Sequence, residues 1–236
     1  MSEDDGDASD DVNDDADRET AWPLGLWRTV ALIAAIAFLA GVIGWRIGQP
    51  SNGSFNEVDA GFLADMSTHH EGALALGFAY LPHQNDATVT HFAREIIRDQ
   101  SIEINAMTVL LADAGDAAEA VLDDDIAMDW MGESFAPLEM PGLATEAEFE
   151  ELEAASGVDA DELFTRLMIV HHAAGAAMAD YEAKHGENDT VRKLARAMAR
   201  IQRIEIGELN RRRVALGLEE VDPDDGGHSG HAGTGD

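Results

Sequence analysis

The chain has 236 residues, with 47 acidic against 15 basic side chains, a formal net charge of −32 and no cysteine. That balance excludes nucleic acid as a partner, because nothing could neutralise a phosphate backbone, and it favours cations. The missing cysteines exclude disulfides and thiolate metal sites, so any soft metal ligand must come from the nine methionines.

Residues 1–21 are an acidic run of low hydrophobicity (Glu3, Asp4, Asp5, Asp7, Asp10, Asp11, Asp14, Asp15) and read as disordered. Residues 22–48 read as a transmembrane anchor. Thr29 to Trp45 holds no charge and is bracketed by Arg28 and Arg46. Its roughly 17 residues span about 25 Å as a helix. Leu24, Leu26 and snorkelling arginines extend that reach, and Trp22, Trp27 and Trp45 sit where interfacial aromatics belong. A cleaved signal peptide would start basic and end at a small-residue cleavage site, and neither is present. A large domain after a first apolar segment is most simply exported. The expected location is the cell membrane, single-pass, with the main domain extracytoplasmic.

Residues 49–57 form a short linker, and the pattern turns helical from 58. A first helix runs to Tyr80, where Pro82 stops it. A second runs from Ala87 to Ala114, with Gly115 as its C-terminal cap. Residues 116–158 read as an irregular acidic crossover carrying Met128-Asp129-Trp130-Met131 and Met140-Pro141-Gly142. A short helix follows, opened by a capping box of Thr145 and Glu148. Asp159 and Glu162 read as a second such box, opening a long helix to His185. The last helix runs from Thr190 to Leu216, with Gly217 beyond. Four long helices in two hairpins joined by one crossover predict an all-α four-helix bundle over 58–217. Residues 218–236, rich in Gly and Asp with His228 and His231, read as a disordered tail.

Residues 59–115 and 161–217 are one unit written twice, offset by 102 positions: 17 of 57 aligned residues are identical, too many for unrelated segments. Neither copy could bury its apolar face alone. Asp59 matches Asp161, His69-His70 matches His171-His172, and Gln100 and Glu103 match Gln202 and Glu205. On helices, Phe62, Met66, His69, Ala73 and Leu76 share a stripe. Their partners are Phe164, Met168, His171, Gly175 and Met178. One histidine of each pair points inward, and the other points to a flank or a neighbouring helix. On the second helix of each hairpin, Gln100 with Glu103 and Gln202 with Glu205 stand among apolar neighbours. A buried carboxylate needs a partner, and the facing histidines are the candidates.

This constellation points to a metal. Imidazole suits copper, zinc and iron, and a thioether selects copper(I). The candidate ligands are Met66, His69, His70, Glu103, Met168, His171, His172, Met178 and Glu205. Gln100 and Gln202 stand behind them, and Glu103 and Glu205 either ligate or orient a histidine. The bland alternative is a His–Glu–Gln network that fixes the bundle's register. Met178 has no counterpart, since Leu76 occupies that place, so the two copies cannot be equivalent.

Phe-x-x-x-Met-x-x-His-His, followed by Ala-Arg-x-x-x-x-x-Gln-x-x-Glu-Ile and then repeated, resembles the domain of unknown function 305 family. Met-Asp-Trp-Met-Gly and Met-Pro-Gly-Leu-Ala between the repeats resemble its actinobacterial, single-anchor members. The resemblance covers 58–217. It implies a ferritin-like four-helix bundle outside the cytoplasm, and some members are associated with copper binding. The family motif carries over to Met66, His69, His70, Gln100 and Glu103, and to Met168, His171, His172, Met178, Gln202 and Glu205. Copy one departs from it at Ser67-Thr68, where the family has an apolar residue and proline. It also lacks the methionine that Met178 supplies, which favours copy two.

Three functions follow as expectations. The first is a membrane-anchored protein that binds or buffers a metal ion, copper before zinc or iron. The second is a metal-free helical interaction module with structural histidines. The third is a ferritin-like dinuclear oxidase, which needs about four to six carboxylate and histidine ligands; only two inner carboxylates repeat here. No catalytic residue is assigned, and a homodimer is compatible with all three.

Overall fold

The protein is described by a computed structural model over residues 53–121 and 125–223. The expected acidic run, the membrane anchor and most of the C-terminal tail lie outside the described residues. Among the described residues no helix is long and apolar enough to cross a membrane, and the fold is helical throughout, apart from one isolated bridge between Ala127 and Phe135.

Helix α1, Glu57–Tyr80, opens with a capping box of Asn56 and Asp59 and gives way to a 3-10 turn at Leu81–His83, where Pro82 removes a backbone donor. Helix α2, Ala87–Asp113, is capped by the Asp86 carboxylate, which accepts from the N–H of Thr88 and Val89. It ends before Gly115, whose φ of +53° suits glycine. The crossover begins with a short helix not foreseen in the sequence, α3, Asp116–Val121. Helix α4, Glu146–Ala154, has the capping box of Thr145 and Glu148. Helix α5, Val158–His185, and helix α6, Asp189–Ala215, complete the second hairpin.

The start of α5 corrects one expectation. Asp159 and Glu162 do not form a capping box: the N-cap is Gly157, with no side-chain cap. Glu162 instead accepts from Arg213 at 2.9 Å, and Arg213, only 4% exposed, also donates to the carbonyls of Glu162 and Glu219. A buried guanidinium needs several acceptors at once, and it claims Glu162 before the helix end can.

The α1–α2 and α5–α6 hairpins each pack along their length, and α1 crosses against α5. One core cluster gathers Phe62 and Met66 of α1, Met107 of α2, Met178 of α5 and Met198 of α6, together with Met128 and Met140 of the crossover. The other gathers Ala73, Leu76, Ile96, Phe164, Met168 and Leu209. Met66 thus shares an end with Met178, and Leu76 shares one with Met168, so α1 and α5 run antiparallel. The four histidines sit between the two ends.

Each hairpin is fastened by the other. Asp161, fully buried on α5, accepts from the Tyr80 hydroxyl at 2.6 Å, from Asn85 Nδ2 at 2.9 Å and from Asp86 N–H at 3.1 Å. Its repeat partner Asp59, fully buried on α1, accepts from the N–H of Glu187 at 3.1 Å and of Asn188 at 3.0 Å. The carboxylate opening one repeat therefore holds the hairpin turn of the other, which sets the antiparallel approach of α1 and α5.

Candidate metal centre

His69, His70, His171 and His172 are all buried, none more than 1% exposed. His69 of α1 and His171 of α5 stack face to face, with ring centroids 3.9 Å apart and planes at 24°. The crossover covers them. His69 Nε2 donates to the Pro141 carbonyl at 3.2 Å, and His171 Nδ1 donates to the Gly142 carbonyl at 3.2 Å. Gly142 lies at φ +83°, and a Cβ there would press on Ala174 and His171, so only glycine brings that carbonyl so close.

The second histidine of each pair turns to its own hairpin. His70 Nε2 lies 2.8 Å from Glu103 Oε2 of α2. His172 Nε2 lies 3.0 Å from Glu205 Oε2 of α6, an approach off the hydrogen-bond direction. Both glutamates keep some solvent contact, 13% and 23% of their side chains, so the carboxylates are the open side of the cluster. Gln100 and Gln202 are 4% exposed, and among the described residues the Oε1 of each meets no donor. Gln202 lies against Gly175, where a Cβ would strike its amide.

Burial sets the charges. Desolvation first, then neighbouring imidazoles, bring His69 and His70 down to about 3 and push His171 well below its usual value. Burial, and then the charge of Glu205, push Glu103 up to about 8. His69, His70 and His171 are therefore neutral at pH 7, the form in which imidazole ligates metals. Among the described residues several nitrogens of the four histidines have no hydrogen-bond partner: Nδ1 of His69, His70 and His172, and Nε2 of His171 and His172.

The family described as domain of unknown function DUF305 matches residues 59–213. The chain belongs to the DUF305 family. A crystal structure of a DUF305 protein from Streptomyces coelicolor, named as a candidate secreted protein, is 29% identical with a TM-score of 0.62, covering 70% of this chain and 97% of that one. A DUF305 fragment from Deinococcus radiodurans is 28% identical with a TM-score of 0.56, covering 70% and 98%. CopM in its Cu(I)-bound form matches at 24% identity and a TM-score of 0.49, over 67% and 96%, too distant to bear on the site. No curated protein matches the chain.

The structure thus brings together the four histidines and their two glutamates; Gln202 lies against Gly175, one turn beyond His171, and Gln100 is buried one turn before Glu103. It separates the methionines. Met66 and Met178 lie in one core cluster and Met168 in the other. Met168 and Met178, which share the helical face of His171, flank it from opposite ends and cannot reach one ion together. Among the described residues no three His or carboxylate side chains already converge on a single ion position. The sequence reading missed the Pro141 and Gly142 carbonyls. The signal was there in Met140-Pro141-Gly142, a rigid, glycine-bearing stretch in an otherwise acidic crossover. It also gave Tyr80 no role, whereas the structure makes it the donor to Asp161.

Proposed function

We propose that this is a membrane-anchored, extracytoplasmic protein that binds and buffers a soft metal ion, copper(I) before zinc or iron, at its four-histidine layer. The organisation proposed with it is an acidic segment 1–21, an anchor 22–48, a linker 49–57, a ferritin-like bundle 58–217 built from two duplicated hairpins, and a tail 218–236. The observation that carries the reading is the set of buried, neutral imidazoles with unpartnered nitrogens. A purely structural network would be satisfied, because a buried polar group without a partner costs about 1–3 kcal/mol. A ligated metal would remove that cost. The ligands we assign are His69, His70, His171 and His172, with Glu103 and Glu205 ligating or orienting them and Gln100 and Gln202 behind. Met66 and Met178 supply thioethers from one end, and Met168 from the other. Met66 and Met168 each stand one helical turn before a histidine, and a thioether near imidazole favours copper(I) over zinc. The secreted character named for the Streptomyces relative supports an extracytoplasmic place.

The test is a copper(I) competition titration of the full-length chain against a chromogenic chelator, beside a His171→Ala/His172→Ala variant. The wild type should withdraw copper(I) and the variant should lose most of that affinity while keeping its helical circular dichroism. A folded wild type that leaves all copper with the chelator, or a double variant that binds normally, would sink the proposal.

A further inference from the structure

The start of α1 and the turn between α5 and α6 meet at two carboxyl groups, Asp59 and Glu182, neither with any solvent exposure. Asp59 is well supplied with donors: it accepts from the backbone N–H of Asn56 at 2.8 Å, of Glu187 at 3.1 Å and of Asn188 at 3.0 Å. Among the described residues neither Glu182 oxygen meets an N–H or a hydroxyl, and the group its carboxyl interacts with is the Asp59 carboxyl. Gly186 packs directly on it, since a Cβ there would collide with the Glu182 carboxyl.

The repeat shows what this geometry asks for. Glu182 stands 102 positions after Tyr80, as Asp161 stands 102 after Asp59. In the first pair the Tyr80 hydroxyl donates to Asp161 at 2.6 Å. A phenol brings its own proton at neutral pH, whereas a carboxyl does so only when neutral.

We propose that Glu182 is held protonated and donates its O–H to Asp59, making a proton-operated latch that ties the α5–α6 turn to the start of the domain. Asp59 already accepts from three backbone N–H groups, so the O–H that bridges the two carboxyls is drawn on Glu182. Burial and then the Asp59 charge push Glu182 up to about 9. Arg192 and Arg196 of α6 oppose this, but their guanidinium groups donate to the Ala183 carbonyl at 3.4 Å and 3.3 Å, and Arg192 is also 3.7 Å from Asp189. The Glu187 side chain is turned away, accepting from Ser54 Oγ at 2.6 Å. What the latch holds is the entry segment. Asn56 Nδ2 donates to the His185 carbonyl at 3.1 Å, and Asn188 Nδ2 donates to the Gly53 carbonyl at 3.3 Å. Losing the proton sets two buried negative charges against each other at the point where residues 53–56 dock. The folded value lies above the ordinary 4.5, so the latch's contribution is complete below about 4.5 and is lost as pH rises towards 9. Nothing in this depends on a bound metal.

The experiment uses the full-length, chelator-treated chain and Glu182→Gln, whose amide donates at every pH. At pH 7 the infrared difference, wild type minus E182Q, should show the stretching band of a protonated carboxyl, vanishing with a midpoint near 9. In thermal melts E182Q should gain on wild type steadily as pH rises from 5 to 9 and then hold its lead. Glu103→Gln is the control, because Glu103 is the other strongly raised glutamate, and it should retain the band that titrates near 9. If E182Q does not fold, the band in E103Q decides. Absence of the band at pH 7, or a gap between E182Q and wild type that is constant from pH 5 to 9, overturns the latch.

Discussion

His69 and His171 stack ring on ring, and each donates one N–H to a carbonyl of the same short stretch, Pro141 and Gly142. A carbonyl only accepts, so the two contacts fix the tautomers: His69 carries its proton on Nε2, and His171 on Nδ1. The free lone pairs are then Nδ1 of His69 and Nε2 of His171, both without a hydrogen-bond partner among the described residues. Positioning of this kind, a fixed proton on one ring nitrogen and an open lone pair on the other, is what orients a histidine ligand. The expected outcome is measurable without metal. Nitrogen-15 spectra of the metal-free chain at pH 7 should show opposite tautomers for these two histidines. Identical tautomers, or rings exchanging rapidly between both forms, would mean that the crossover carbonyls do not control the pair. None of this could be read from the repeat alone. His69 and His171 are equivalent positions in the sequence, and only the single, unduplicated crossover makes them different.

At the scale of elements, the long helices were legible because their apolar periodicity and their ends were both written locally. Asn56, Asp86 and Asn188 are short polar side chains standing before apolar runs, and each caps a helix. The start of α5 was misread because its acidic residues serve partners far away: Glu162 serves Arg213, and Asp161 serves the α1–α2 turn. A local motif cannot reveal a claim from 51 or 76 residues away. Met128-Asp129-Trp130-Met131 stood out in the crossover's sequence, but its seat did not. Asp65 accepts from Met128 N–H and from Trp130 Nε1, both at 2.7 Å, and Trp130 lies over Gly61 and edge-on to Phe62 and Tyr181. The repeat did show that Asp59 and Asp161 correspond, yet not that each reaches into the opposite hairpin. That exchange gives a firm expectation. Asp161→Ala leaves the Tyr80 hydroxyl and the Asp86 N–H without their acceptor and should lower stability by roughly 3 kcal/mol. Urea unfolding followed by circular dichroism checks it; a loss below about 1 kcal/mol would show that the cross-fastening is incidental.

For the whole molecule, the buried titrating groups divide into two sets that oppose each other across pH. His69 and His70 are held at about 3 and His171 well below its ordinary 6.5. On the acid side the unfolded chain therefore binds protons that the folded chain refuses, and stability is lost as pH falls below about 6.5. Glu103 and Glu182 are raised to about 8 and about 9 from 4.5. They bind protons when folded and release them when unfolded, so stability is lost as pH rises from about 4.5 towards 8 and 9. Between roughly 4.5 and 6.5 both sets act, and three histidines outweigh two glutamates, so stability rises with pH across this window. Above 6.5 the histidines fall silent and only the glutamates act. The metal-free chain should then be most stable near pH 6.5 and lose stability on both sides, unlike a fold whose carboxylates are mostly paired and which simply gains stability as acid is removed. Melting temperatures of the chelator-treated full-length chain from pH 4 to 9 test this. His171→Ala should soften the acid limb, and Glu103→Gln the alkaline one. A plateau from pH 6 to 9 in the wild type would show that these carboxyls are solvated and already charged, and that the carboxylate side of the histidine layer is more open than its 13% exposure at Glu103 implies.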